Sequence, residues 1–135
     1  MGLRAQASSE TCGNNADLSV YVFNGVAALV FPTAEVSTVP FYCLVYAGPA
    51  TSFFFTTSET ERSNALTAGG YSDCGITGYI YPTQVCGSVP LYRGHFITAN
   101  TDYLYTTSAA NRDNAVENQG FTDEGVAGYV LELDS

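Results

Sequence analysis

The sequence predicts a strand-rich α+β fold, in which one pseudo-symmetric domain over residues 1–135 is built from a repeat of fifty residues. Two observations predict it: the chain aligns with itself without a gap at a shift of fifty, and both copies carry the same order of strand and helix patterns. Across residues 39–81, 15 of 43 positions are identical to those fifty positions later. We therefore expect full β-β-α-β units at 39–88 and 89–135, preceded by half a unit at 8–38.

The strands of a unit are predicted from apolar runs and from the position of a proline. Residues 89–93 predict the first strand, with Pro90 near its start, where a missing backbone donor is tolerated. Residues 102–106, matched by 52–56, are apolar on both faces and predict a second strand inside a sheet. Residues 75–81 predict the third strand, whose glycines allow a bulge or a close approach of neighbouring backbones.

The helix between the second and third strands is predicted from its two ends. Ser58 and Glu61 fit a capping box, in which the serine hydroxyl and the glutamate carboxylate each accept a hydrogen bond from an amide at the start of the helix. We expect this helix to end before Gly69, and its second copy, over residues 108–119, to end before Gly120.

Composition and charge exclude several classes of function. Four Arg, no Lys and 13 acidic residues give a net charge of −9, which repels phosphate backbones and anionic lipids. We therefore expect no nucleic-acid partner, and no apolar run is long enough for membrane insertion. His95 is the only histidine, which excludes a two-histidine metal motif, and no Gly-x-Ser-x-Gly motif accompanies it. The prediction is a protein without metal, cofactor or enzymatic activity.

Charged residues that recur in both copies favour structural roles. Asp73 and Asp123 both stand two residues before a glycine, where an aspartate side chain commonly caps a turn. Arg62 and Arg112 recur in the predicted helices, and we expect each to bridge to a nearby carboxylate or carbonyl rather than to bind a ligand.

The segment in which the two copies differ most, residues 93–104, is where we predict a ligand site. Alternation along the strand places Tyr103 and Tyr105 on one face and Asp102 on the other, so the whole set cannot point the same way. The predicted ligand-binding residues are Tyr92, Arg93, His95, Asn100, Asp102 and Tyr103.

An even set of cysteines predicts two disulfides in an oxidising compartment. The four cysteines are Cys12, Cys43, Cys74 and Cys86. At a shift of fifty, Cys43 falls on Arg93 and Cys74 falls on Glu124, which indicates one contact formed as a disulfide in one unit and as a salt bridge in the other. We predict Cys43–Cys74, which leaves Cys12–Cys86 as the second pair. Four reduced, buried thiols are the alternative.

Four motifs in order carry a resemblance to a known family. Residues 89–93, 105–108, 112–115 and 120–130 resemble a secreted repeat family typified by the order VPLYRLYN, GDHFYTTS, ERDNA and GYTDEGIAGYVY. The resemblance covers about residues 20–131. Members of this family occur as small secreted fungal proteins and as modules appended to bacterial and phage cell-wall hydrolases, so the resemblance implies one of these contexts for this chain. The family is largely of unknown function.

This chain departs from the family at the residues of interest. Asp102-Tyr103-Leu104-Tyr105 stands where the family has Asp-His-Phe-Tyr, and in the 39–88 unit two cysteines replace the family's Arg and Glu. A ligand site is therefore expected in the 89–135 unit.

Together, these features predict a non-catalytic, secreted, lectin-like module. Aromatic side chains offer flat faces to sugar C–H groups, and Asn, Asp and Arg can hydrogen-bond to hydroxyls. The expected partner is a cell-surface or cell-wall carbohydrate or glycoprotein, and the resemblance to small fungal proteins implies a possible immunomodulatory action. The alternative is a structural or protein-interaction protein that forms a homodimer through its incomplete N-terminal repeat.

Overall fold

The computed structural model describes residues 18–23, 26–47, 51–96 and 102–132. These residues form eight strands and two helices. In chain order they are β1 (Ser19–Phe23), β2 (Val26–Val30), β3 (Val39–Ala47), β4 (Thr51–Thr56), α1 (Glu59–Thr67), β5 (Ser72–Ile80), β6 (Val89–Phe96), β7 (Asp102–Thr106), α2 (Ala109–Asn118) and β8 (Thr122–Val130).

The described strands make three antiparallel sheets. β1 and β2 form a hairpin, β3 lies between β4 and β5, and β6 lies between β7 and β8. Each helix follows the edge strand of its sheet and precedes the strand that pairs on the other side. The predicted strand-rich α+β class is confirmed at this level.

Strand positions follow the sequence prediction closely and strand lengths less so. β7 has the predicted bounds, whereas β6 continues three residues beyond the predicted end at Arg93. β5 begins at Ser72, three residues before the predicted Gly75. The pairing of β5 with β3 continues through register shifts, and Gly75, with its φ of 94°, lies between them. The bulge allows the strand to include the residues before Gly75, where the pattern alone places its start.

The helices begin and end where the sequence predicts, but only half of the capping box forms. Ser58 caps α1, and its Oγ accepts a hydrogen bond from the amide of Glu61 at 3.1 Å. The amide of Ser58 donates instead to Oγ1 of Thr56 at 3.0 Å. The carboxylate of Glu61 is therefore free to turn away from its own helix.

Three isolated bridges join the ends of the sheets in a ring. Each bridge has two backbone hydrogen bonds, of 2.8–3.3 Å. The pairs are Phe31 with Tyr79, Tyr81 with Tyr129, and Leu29 with Leu131. Successive bridges connect β2 to β5, β5 to β8 and β8 back to β2. The three sheets therefore close a ring, and the β1–β2 hairpin is the third member of it.

The main core draws residues from all three sheets. Its buried members are Phe23, Ala28, Val30, Phe41, Cys43, Phe55, Ile80, Leu91, Tyr105 and Val130. Two glycines allow the sheets to meet around it. A Cβ at Gly78 would lie 2.6 Å from Cγ2 of Val30, and one at Gly128 would lie 2.4 Å from Cδ1 of Ile80. These glycines bear out the prediction that backbones approach closely in the third strands.

Candidate functional site

Arg93, the predicted ligand-binding cation, lies in the junction between the β3 and β6 sheets. It is 8 % exposed. Its Nε donates to Oε1 of Glu124 at 2.8 Å, and its two terminal nitrogens donate to the carboxylate of Glu61 at 2.9 and 3.2 Å. A fourth hydrogen bond runs from Nη1 to the carbonyl oxygen of Phe55 at 3.4 Å. The guanidinium is thus held by groups of the protein on several sides.

The electrostatics of this cluster favour a fully charged state. Burial raises the pKa of Glu61, but hydrogen bonds from Arg93 and Thr56 outweigh it, so the carboxyl has a pKa below its ordinary value. Burial opposes the charge on Arg93, yet the contacts with Glu61 and Glu124 raise its pKa above the usual range. Glu61 belongs to α1 and Arg93 to β6, so the ion pair ties one sheet unit to the other.

The Cys43–Cys74 disulfide is present, as the sequence predicts. At the positions fifty residues later, Arg93 and Glu124 form the predicted salt bridge. One contact between the central strand and the strand beside it is therefore covalent in one sheet and ionic in the other. Cys86 is also disulfide-bonded, and Cys12, its predicted partner, lies outside the described residues.

His95 and Tyr103 form a stacked pair on the same face as Arg93. Their ring centroids are 4.4 Å apart with an interplanar angle of 3°, and Nδ1 of His95 lies 3.4 Å from Oε2 of Glu124. The other side of Tyr103 packs on Phe54, with centroids 4.8 Å apart. Burial raises the pKa of the Tyr103 hydroxyl. Tyr103 is thus an interior contact between sheets more than a surface platform.

The remaining predicted residues do not join this face. Tyr92 faces α2, where the guanidinium of Arg112 lies 4.4 Å above its ring. Asp102 is exposed and accepts a hydrogen bond from the amide of Tyr103 at 3.0 Å. Asn100 lies outside the described residues. The structure therefore brings together Arg93, His95 and Tyr103 and separates Tyr92 and Asp102 from them, as strand alternation predicts.

The recurring arginines and aspartates have the structural roles that the sequence favours. Arg62 forms an ion pair with Asp73, and Arg112 contacts Asp123 at 3.6 Å. Each aspartate also accepts a hydrogen bond from the amide two residues later, at 2.8 and 2.9 Å. These side chains fasten each helix to the following strand.

A second feature is an open groove of about 220 Å³ between α2, β7 and the β1–β2 hairpin. Its described polar lining residues are Thr106, Asn111, Asn114 and Gln119, and its described apolar ones are Val26, Leu104 and Ala115. No lining residue among these is ionisable. The groove can offer amide hydrogen bonds beside a small apolar floor, whereas Thr106 is buried and its Oγ1 accepts a hydrogen bond from the amide of Ser108.

The amide side chains of the groove are available to a ligand. Those of Asn111 and Gln119 make no hydrogen bond to any described residue. Oδ1 of Asn114 accepts a hydrogen bond from Asn118 at 2.8 Å, which leaves its NH₂ group as a donor. All three side chains are carried by α2 or its C-cap, so a rigid element positions them.

Sequence reasoning missed the groove and the role of Glu61. Asn111 and Asn114 stand three residues apart on a predicted helix, which places them on one face and is a usable indication. A second indication is that Glu61 in the first copy becomes Asn111 in the second. Nothing in local sequence pairs Glu61 with Arg93, because the two lie in different units.

Within the described residues no group of three or more His, Cys, Asp or Glu side chains could hold a metal ion. No described helix is long and apolar enough to cross a membrane. A family model described as "Domain of unknown function (DUF5648)" matches residues 7–131. No curated protein and no solved structure matches the chain.

Proposed function

Because this chain belongs to the DUF5648 family, a domain family of unknown function, we propose its function from the candidate site: it is a non-catalytic extracellular module with lectin-like recognition of cell-surface or cell-wall carbohydrate. The module is built from two full units of fifty residues and an N-terminal half unit. Recognition of a host glycoprotein by such a module would give it immunomodulatory activity.

The groove beside α2 is the observation that carries this proposal. Small-molecule sites combine an apolar surface with a few well-placed polar groups. Here Asn111, Asn114 and Gln119 surround a floor that includes Leu104. Amides donate and accept hydrogen bonds, as sugar hydroxyls do, and the floor suits the C–H face of a pyranose ring. At about 220 Å³ the groove is smaller than the roughly 300–1,000 Å³ of drug-sized pockets, which fits a single sugar unit.

Two of the residues predicted from the sequence remain accessible on the same module, on different faces of the β6 sheet. Asp102 is exposed, and the side chain of His95 is 18 % exposed beside the ring of Tyr103. In this proposal His95 is a separate ligand contact on the face that carries Arg93, and the stacked ring of Tyr103 positions it.

Cysteine usage supports an extracellular location. The Cys43–Cys74 bond, together with a disulfide-bonded Cys86, is typical of proteins from oxidising compartments. A net charge of −9 keeps such a module soluble and away from anionic polymers.

One observation favours the alternative function, a homodimer formed through the half unit. Among the described strands β1 and β2 form a sheet of two, whereas each of the other two sheets has a third strand. Val20 and Val22 on β1 are 47 % and 56 % exposed. Light scattering at high concentration tests this reading, and a strict monomer would exclude it.

A glycan array, followed by titration calorimetry with the best ligand, tests the proposed function. We expect binding to a defined group of glycans, with loss on replacing Asn111 and Asn114 by alanine. A macrophage-stimulation assay run beside it tests the immunomodulatory role. Failure to bind any glycan at high micromolar protein concentration would exclude the lectin-like function.

A further inference from the structure

The face of the sheet beside α1 is covered by side chains of the neighbouring unit. Arg93 binds the carboxylate of Glu61, and its guanidinium carbon lies 4.9 Å from the ring centroid of Phe54. The ring of Tyr103 packs on Phe54 as well. One cation and one aromatic ring thus close this junction.

No cation or aromatic ring of the described residues covers the corresponding face beside α2. Its neighbour in the ring is the β1–β2 hairpin, which contributes Val26 to the lining. The hairpin has two strands. Among the described residues it carries no counterpart of the β6–β7 pair, whose side chains cover the face beside α1. Leu104 and Asn111, which stand fifty residues after Phe54 and Glu61, therefore border the groove instead of being covered.

The chemistry of the open junction differs from that of the closed one, because its described lining carries no charged group. Glu61 holds a guanidinium, whereas Asn111 presents a neutral amide at the same place on its helix. No described lining residue of the groove carries a charge. A cation that enters it would lose water without gaining a counter-ion, which is unfavourable. An uncharged hydroxylated group would find amide partners in Asn111, Asn114 and Gln119.

We propose that this groove is the carbohydrate subsite, that it takes one uncharged sugar residue, and that Asn111 makes it discriminate against cationic amino sugars. The inference rests on the proposed lectin-like function and adds the charge class of the ligand and the residue that sets specificity.

Side-chain amide NMR of the ¹⁵N-labelled full chain tests the proposal. The probes are glucose, galactose, mannose and N-acetylglucosamine, each at millimolar concentration, with glucosamine as the cationic counterpart. We expect at least one neutral sugar to shift the NH₂ resonances of Asn111, Asn114 and Gln119, and glucosamine to bind about tenfold more weakly.

The variant Asn111→Asp tests whether the charge at this position sets the specificity for the sugar. It keeps the shape of the side chain and restores a carboxylate, so the variant should gain glucosamine binding and lose about tenfold in affinity for the neutral sugar. Asn64→Asp on α1 adds the same charge away from the groove and should leave both affinities unchanged.

The outcomes separate this inference from the function on which it rests. A glycan that binds on the array without shifting the three amides would overturn the groove site and leave the lectin-like function standing. Equal binding of glucosamine and the neutral sugar would overturn the specificity. No array binding and no shift with any probe would refute both.

Discussion

Replacing Arg93 with alanine removes the cation of the ion pair that joins the two three-stranded sheets. Deleting one partner of a buried ion pair costs about 3–5 kcal/mol, because the other charge is left uncompensated. Here 42 % of the Glu61 side chain and 28 % of the Glu124 side chain remain exposed, so water partly screens both carboxylates. We therefore expect the lower end, about 3 kcal/mol, which corresponds to a fall in Tm of about 10 °C for a domain of this length.

Urea unfolding at pH 7 with the disulfides intact measures this loss. The chain has 10 Tyr and no Trp, so tyrosine fluorescence and far-UV circular dichroism are suitable probes. Arg112→Ala is the matched control, because Arg112 pairs with exposed aspartates on its own unit and should lose far less. A loss below about 1 kcal/mol for Arg93→Ala would refute the structural role, since that is the range of surface pairs.

The same comparison has a defined pH dependence. The pKa of Glu61 is lowered in the folded protein, so its contribution is fully present above its ordinary pKa of 4.5 and is lost as the pH falls through the lower folded value. The difference between wild type and Arg93→Ala should therefore shrink below about pH 4.5. A difference that stays constant from pH 3 to pH 7 would contradict the assignment of the ion pair.

Arg93→Ala also discriminates between the two roles considered for this residue. A stable variant that has lost glycan binding would show that Arg93 belongs to the ligand site, as the sequence predicts. An unstable variant that still binds glycan below its Tm would show that the guanidinium serves the junction between sheets.

Three further predictions concern the ring and its contacts. Gly78→Ala should destabilise by about 1–3 kcal/mol in urea unfolding, because backbone as well as side-chain atoms crowd its Cβ; Gly128→Ala should lose less, and equal losses would count against this reading. Tyr105→Phe should lose about 1–3 kcal/mol in the same assay, since its buried hydroxyl hydrogen-bonds to an amide and a carbonyl of β4, and an unchanged midpoint would contradict it. The double variant Arg93→Cys, Glu124→Cys should form a disulfide, seen by peptide mapping, and its Tm should exceed that of Arg93→Ala until a reductant is added.

Features that depend on short stretches of sequence could be predicted. The bounds of β7, the N-cap Ser58 and the turn-capping aspartates all follow from residues within a few positions of one another. The Cys43–Cys74 pair could be predicted because the second copy of the sequence has an oppositely charged pair at the two corresponding positions. Alternation along β7 likewise predicted the separation of Asp102 from Tyr103.

Contacts between units could not be predicted, because they depend on how one unit packs on the next. Glu61 fits a capping box by its local pattern, but Arg93 from another strand competes for the carboxylate and prevails. Tyr105 looks like an ordinary core residue, yet its hydroxyl binds the backbone of Phe55 across the junction. The groove arises from what the hairpin does not cover, which no motif encodes.

The bridge between Leu29 and Leu131 sets an order of events during folding. It pairs the first hairpin with the end of the last described strand, about 100 residues away in sequence. Contacts of such high sequence separation form slowly, whereas the hairpins within each sheet are local. During synthesis the apolar side chains of Phe23 and Val30 must wait for β8 before their cover is complete. The β1–β2 hairpin is therefore exposed to premature association until β8 has been synthesised.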